Sequence, residues 1–106
     1  MSNAQPKTGS EAIEQRDAGY GGFYNVAETK QAILHVLRSG PKFDGLDNVQ
    51  VTALEEIAGK LARIVNGEPK LDNWVDIAGY AELVPLHSPK IASLIPVATP
   101  AKKGGR

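Results

Sequence analysis

Residues 47–84, DNVQVTALEEIAGKLARIVNGEPKLDNWVDIAGYAELV, decide the fold of this chain. In their first half, apolar residues recur at intervals of three and four, the period of a helix with one buried face. Asp47 and Gln50 have the spacing of a capping box, and Asn66 with Gly67 is typical of a helix end in left-handed backbone. The pattern predicts a helix over 48–66 with this buried face: Leu54, Ile57, Ala58, Leu61, Ile64 and Val65.

A second helix is predicted directly after the loop GEPKL. Asp72 is the expected N-cap, and Pro85 is expected to end the helix because proline cannot continue the hydrogen-bond ladder. The helix is therefore predicted over 72–84, with an apolar face made of Trp74, Ile77, Ala78, Ala81 and Val84.

Two further helices are predicted upstream. Asn25, followed by Glu28 at capping-box spacing, predicts the start of a helix that runs to Arg38 and ends at the sequence SGP. Its apolar stripe consists of Val26, Ile33, Leu34 and Leu37. A shorter helix is predicted over 10–18, before the turn GYGG.

These elements organise the 106 residues into one domain. Residues 1–9 are expected to be a flexible arm, 10–84 the helical domain, and 85–106 a proline-rich, basic and largely irregular tail. No period-two pattern predicts a strand. The expected fold is all-α: a small antiparallel helical bundle of three main helices plus a short N-terminal one. Its core is thin, which favours a homo-oligomer.

Composition excludes several classes of protein. The chain has no cysteine, which rules out disulfide scaffolds, thiol catalysis and zinc sites with thiolate ligands. No run approaches the ~18 apolar residues of a membrane span, so a soluble cytoplasmic protein is expected. The 12 basic and 12 acidic residues balance, but the tail carries basic residues and no acid. Nucleic-acid binding through that tail is a weaker option, because four cations with no aromatic residue among them are few.

Polar residues form stripes opposite the predicted apolar faces of the two helices in 47–84. A helical wheel places Glu56, Lys60 and Arg63 together on the first helix, with Glu55 at the border, and Asp72, Asp76 and Tyr80 together on the second. The simpler interpretation is two solvated faces, with a Glu56 to Lys60 pair worth a few tenths of a kcal/mol.

The alternative interpretation is a site for magnesium and phosphate. Magnesium binds a few carboxylates and otherwise keeps water or phosphate oxygens, and Glu55 or Glu56 with Asp72 or Asp76 could supply them. Two cations of the first stripe, Lys60 and Arg63, could contact phosphate. Asp72 also has the purely structural alternative of capping its helix.

The same region resembles a known family. Residues 53–84 are similar to small phage and prophage proteins catalogued as a domain of unknown function, which carry the motifs K-x-x-R-[IL], N-G-[DE]-P and D-[NS]-W-x-D-I-x-G-Y. The matching residues are Lys60, Arg63, Asn66, Gly67, Pro69, Asp72, Asn73, Trp74, Asp76, Gly79 and Tyr80. Upstream, the family segment R-x-x-x-Y-G-x-F-x-x-N is matched by Arg16, Tyr20, Gly21, Phe23 and, one place out of step, Asn25.

The helical hairpin of that family is in turn similar to the MazG-like all-α nucleoside triphosphate pyrophosphohydrolases. The resemblance implies a magnesium site on E-E-x-x-E and E-x-x-D helices, assembly as a dimer or tetramer, and a place in the host cytoplasm. Here Glu55 and Glu56 match the first pair, a third acid is missing, and Asp72 and Asp76 stand in place of E-x-x-D.

The function expected from this resemblance is that of a phage accessory protein of nucleotide metabolism. It would hydrolyse a nucleoside triphosphate to monophosphate and pyrophosphate, with Asp76, Asp72 and Glu55 or Glu56 binding Mg²⁺ and with Lys60 and Arg63 holding phosphates. Nucleotide contacts are expected from Asn73, Trp74, Tyr80, Arg16 and Tyr20. The alternative is a non-catalytic phage protein that sequesters a nucleotide signal or inhibits a host defence protein.

Overall fold

The computed structural model describes residues 22–96. Its elements are α1 (Phe23–Arg38), a 3-10 turn (Phe43–Gly45), α2 (Asn48–Asn66), α3 (Leu71–His87) and the single-turn α4 (Pro89–Ala92). Helix α2 packs against both α1 and α3, and α4 packs against α3. Within 22–96 there is no strand, so the all-α prediction with three main packed helices is confirmed. The predicted arm 1–9, the helix 10–18 and residues 97–106 lie outside the described residues.

Helix α2 has the predicted bounds, and its start is the predicted capping box. Asp47 Oδ1 accepts a hydrogen bond from the Gln50 backbone N–H at 2.9 Å, and Gln50 Oε1 accepts one from the Asp47 N–H at 3.1 Å. The left-handed helix end was a wrong prediction, because Gly67 is extended, with φ −122° and ψ −170°. The Asn66 side-chain amide instead donates to the Ala62 carbonyl and to Thr29 Oγ1 of α1, both at 2.9 Å.

Helix α1 begins two residues before the predicted N-cap. Gly22 is the N-cap, with φ 95°, a backbone conformation that glycine adopts without steric penalty, and Asn25 already lies inside the helix. The Val26 N–H donates to the Gly22 carbonyl at 3.1 Å. The predicted stripe is confirmed, since Val26 and Leu34 are buried.

Both predicted ends of α3 were wrong. The N-cap is Lys70, and Asp72 lies in the first turn, where its carboxylate suits the positive end of the helix dipole. Pro85 lies inside the helix, where its fixed φ fits the helical backbone but its missing N–H cannot bond to the Ala81 carbonyl. The Ser88 N–H then donates to the Val84 carbonyl at 2.8 Å, so the ladder continues past the proline.

The face that α3 turns towards α2 also differs from the prediction. Trp74, expected on the apolar face, is 58% exposed, whereas Asn73 is buried at 4%. Ile77, Tyr80 and Val84, which share the Asn73 side of the helix, are half-buried. The buried face is therefore rotated by about one residue, ~100°.

The core around α2 is built from small side chains. The buried apolar residues are Val26, Leu34, Ala53, Ala58 and Ala62, and three of these are alanines of α2. Gly59 of α2 is also buried, and a Cβ there would meet the Lys30 side chain of α1 at 3.6 Å. These small residues let α1 and α3 lie close against α2.

A polar cluster fixes the end of α3 to the start of α2. Ser88 is fully buried, and its hydroxyl donates to Asp47 Oδ2 at 2.5 Å while accepting from the Ile91 N–H at 3.1 Å. The Lys90 N–H also donates to Asp47 Oδ2, at 3.3 Å, and the Lys90 ammonium donates to the Gly45 carbonyl. The hydrogen bond from Ser88, followed by that from the Gln50 backbone, lowers the pKa of Asp47.

Candidate functional site

An ion pair between α2 and α3 lies at the centre of the predicted site. Lys60 Nζ of α2 is 2.8 Å from Asp76 Oδ2 of α3. The Lys60 side chain is only 17% exposed and that of Asp76 is 43% exposed, so the pair lies at the edge of the helix contact. The structure thus brings together two predicted site residues from different helices.

The position of Lys60 follows from its place on α2. Its hydrocarbon stem is covered in the contact with α3 while its ammonium reaches the more exposed carboxylate of Asp76, the usual behaviour of a long cationic side chain at a boundary. Arg63 follows one turn later on α2, is half-buried and is itself engaged in an interaction. Two cations therefore lie within one turn on this edge of the hairpin.

The carboxylates predicted to bind magnesium are not gathered in the same way. Glu55 Oε2 is 3.7 Å from Arg38 Nη2, so it contacts α1 and not α3. Glu56 and Asp72 are exposed. Among the residues from 22 to 96, no group of three or more His, Asp or Glu side chains is placed to hold a metal ion. Within residues 22–96 the structure therefore does not gather the predicted ligands Glu55, Glu56, Asp72 and Asp76 around one point.

An apolar groove of about 330 Å³ lies between the first half of α2 and the second half of α3. Val49 and Ala53 line it from α2, and Tyr80 and Leu83 line it from α3, with His87 at one end. Sequence reasoning missed this groove, because no periodic signal marks a surface shared by two helices. The groove is connected to the ion pair through Tyr80, since Tyr80 follows Asp76 by one turn on the same side of α3.

The other predicted nucleotide contacts are not gathered here. Trp74 points about 100° away from Asn73, towards solvent, and is not part of the groove wall. Asn73 is buried in the helix contact. Arg16 and Tyr20 lie outside the described residues.

No helix in the described part of the chain has both the length and the apolar character needed to cross a membrane. Comparison with known proteins gives one family: the profile described as Domain of unknown function (DUF6378) matches residues 7–85, which include α1, α2 and α3 up to Pro85. No curated protein and no solved structure matches the chain. The expectation of a family of unknown function is confirmed, while the phage origin and the likeness to MazG-like enzymes stay predictions.

Proposed function

The chain belongs to the DUF6378 family, and we propose that it is a nucleotide-binding protein whose phosphate site is the Lys60–Asp76 pair of the α2–α3 hairpin. The expected setting is that of a phage accessory protein in the host cytoplasm, with a hairpin of the MazG-like kind. The observation that carries the proposal is the position of Lys60, held at the helix contact with its ammonium 2.8 Å from Asp76.

To bind a phosphate here, Lys60 must exchange the Asp76 carboxylate for a phosphate oxygen. A nucleotide polyphosphate carries more negative charge than one carboxylate, and Arg63 lies one turn away to add a two-pronged contact. Asp76 is 43% exposed, so water can solvate its carboxylate when Lys60 turns to a phosphate. In the absence of ligand the pair keeps Lys60 ordered, which reduces the entropy lost on binding.

The groove at Tyr80 is the proposed site of the base. Its walls are mostly apolar with a few polar groups, the usual composition of a small-molecule site, and its volume of about 330 Å³ lies at the lower end of the common range. Ala53 in the groove precedes Lys60 by two turns, ~10 Å along α2. A nucleoside triphosphate is long enough to reach both places.

The positions of the carboxylates support nucleotide binding without hydrolysis. Pyrophosphohydrolysis of the expected kind uses several acids around Mg²⁺, and Glu55 here is turned to Arg38 at 3.7 Å, on another side of α2. A protein that sequesters a nucleotide, with inhibition of a host protein as one use of that capacity, is therefore favoured over an enzyme.

Titration calorimetry of the full chain with each common ribo- and deoxyribonucleoside triphosphate, with and without Mg²⁺, tests the proposal. Lys60→Met is expected to weaken the binding observed for the wild type by ~10-fold or more, the value of a charge-assisted contact to phosphate. Lys42→Met removes an equal charge at an exposed position of the loop before α2 and is the matched control. Glu55→Gln is expected to leave affinity unchanged, because its carboxylate faces Arg38.

Two results would contradict the proposal. If the wild type binds none of these nucleotides, or if Lys60→Met and Lys42→Met lose affinity equally, the phosphate site is not at Lys60. If the same samples release pyrophosphate at a rate that Asp76→Asn abolishes, the protein is an enzyme and the sequestering function is wrong.

A further inference from the structure

Lys30 of α1 is a half-buried cation outside the Lys60–Asp76 pair. Its side chain lies across Gly59 of α2, where an added Cβ would meet both Cε and Nζ of Lys30 at 3.6 Å. The hydrocarbon stem is therefore held in the contact between α1 and α2, and the ammonium is held with it. With the residues of the described range 22–96, Lys30 makes no ion pair and no hydrogen bond.

The acids on either side of Lys30 already have partners. Glu55 of α2 lies on the side of α1, but its carboxylate is 3.7 Å from Arg38. Asp76 lies on the side of α3, and its carboxylate is 2.8 Å from Lys60. Lys30 therefore brings to this part of the molecule a positive charge that no ion pair with a described residue balances.

Three cations follow one another round α2 at nearly the same height. If the buried Ala62 is taken as the origin, a rotation of ~100° per residue places Gly59, under the Lys30 side chain, at ~60°. Arg63 then lies at ~100° and Lys60 at ~160°, all within ~6 Å along the helix axis. We call Lys30, Arg63 and Lys60 the basic arc, because they lead from α1 to α3 along one edge of α2.

We infer that Lys30 is a third phosphate-binding residue, so that the site takes a chain of three phosphates that crosses α2 along the basic arc. The inference rests on the proposed function, in which Lys60 is the first contact to phosphate. Cations in a row match an anion whose charged groups are also in a row, and each can add a charge-assisted contact. Gly59 has no side chain to stand between the Lys30 ammonium and the other two cations.

The groove gives the phosphate chain a direction. Ala53 in the groove lies at ~180° on the same scale, on the Lys60 side of the basic arc. A base in the groove would place the first phosphate at Lys60 and the last at Lys30. Asp76 and the exposed Glu56 are two acids against the three cations, so the cluster stays positive. The inferred ligand is thus a triphosphate, favoured over a mono- or diphosphate.

Titration calorimetry of the full chain with inorganic phosphate, pyrophosphate and tripolyphosphate tests the inference without a base. The wild type is expected to bind tripolyphosphate ~10-fold or more tightly than pyrophosphate, the value of one added charge-assisted contact. Lys30→Met should remove this preference by weakening tripolyphosphate binding ~10-fold while leaving pyrophosphate binding unchanged. Lys60→Met should weaken the binding of both.

Methionine keeps the apolar stem over Gly59, so Lys30→Met should unfold at the urea concentration of the wild type. Lys30→Arg keeps the charge and should keep the preference for tripolyphosphate. Lys42→Met, which removes a charge at an exposed position of the loop before α2, is the matched control and should also keep it.

Three results would overturn the inference. The first is a wild type that binds tripolyphosphate no better than pyrophosphate, or that binds neither. The second is an equal effect of Lys30→Met and Lys42→Met, and the third is an equal loss of both anions in Lys30→Met. The proposed function is judged separately, because the nucleotide titrations of Lys60→Met can still place a phosphate at Lys60 when Lys30 has no part in it.

Discussion

Ser88→Ala tests the polar cluster that joins the end of α3 to the start of α2. The Ser88 hydroxyl is fully buried, donates to Asp47 Oδ2 at 2.5 Å and caps α4 by accepting from the Ile91 N–H at 3.1 Å. Loss of an N-cap costs about 1 kcal/mol, and loss of a buried hydrogen bond costs about another 1 kcal/mol. We therefore expect Ser88→Ala to lower the free energy of unfolding by about 2 kcal/mol.

Urea unfolding followed by far-UV circular dichroism measures this change. Ser93→Ala is the matched control, because the Ser93 hydroxyl also donates a hydrogen bond, to the Lys90 carbonyl at 2.7 Å, but is exposed. Its free energy of unfolding should stay within ~0.5 kcal/mol of the wild type. If the two substitutions lower the free energy of unfolding equally, and its slope with urea concentration is unchanged, the reasoning that burial of Ser88 makes this cluster stabilising is refuted.

The remaining predictions concern the pH dependence of stability and the backbone at two glycines. The hydrogen bond from Ser88 lowers the folded pKa of Asp47 below its ordinary value of 3.8. As the pH falls, the Asp47 carboxylate is therefore protonated in the unfolded chain before it is protonated in the folded one. This contribution to stability is present above the ordinary value and is lost as the pH falls through the folded pKa, and Asp47→Asn should flatten the fall in urea midpoint between neutral pH and about pH 3. Gly59→Ala should raise stability by up to ~1 kcal/mol in the same assay, because its Cβ makes an ordinary contact with Lys30 at 3.6 Å, whereas Gly22→Ala should lower stability by ~1 kcal/mol because φ there is 95°.

The start of α2 could be predicted from the sequence because it is set by short-range chemistry. Asp47 and Gln50 satisfy the first N–H groups of the helix from within the local sequence, and no distant residue is needed. The backbone at Gly67 was not predictable in the same way. There the Asn66 side chain bonds to Thr29 of α1, a contact between helices that local sequence does not reveal.

The buried face of α3 could not be predicted because apolar residues extend well beyond the side that meets α2. A wheel identifies a face by contrast between apolar and polar sides, and on α3 the residues Leu71, Val75 and Leu86 removed that contrast. The side that meets α2 was decided by packing, and it carries Asn73 in place of Trp74.

The candidate site was predicted in part. The wheel placed Lys60 and Asp76 on polar stripes of neighbouring helices, and the structure brings these two together at 2.8 Å. The wheel could not show that Lys60 would pair with Asp76 of α3, because Glu56 on the same helix as Lys60 is at an equally suitable spacing. Glu55 lay on the border of the wheel, and its contact with Arg38 depends on how α1 crosses α2, which the sequence does not specify.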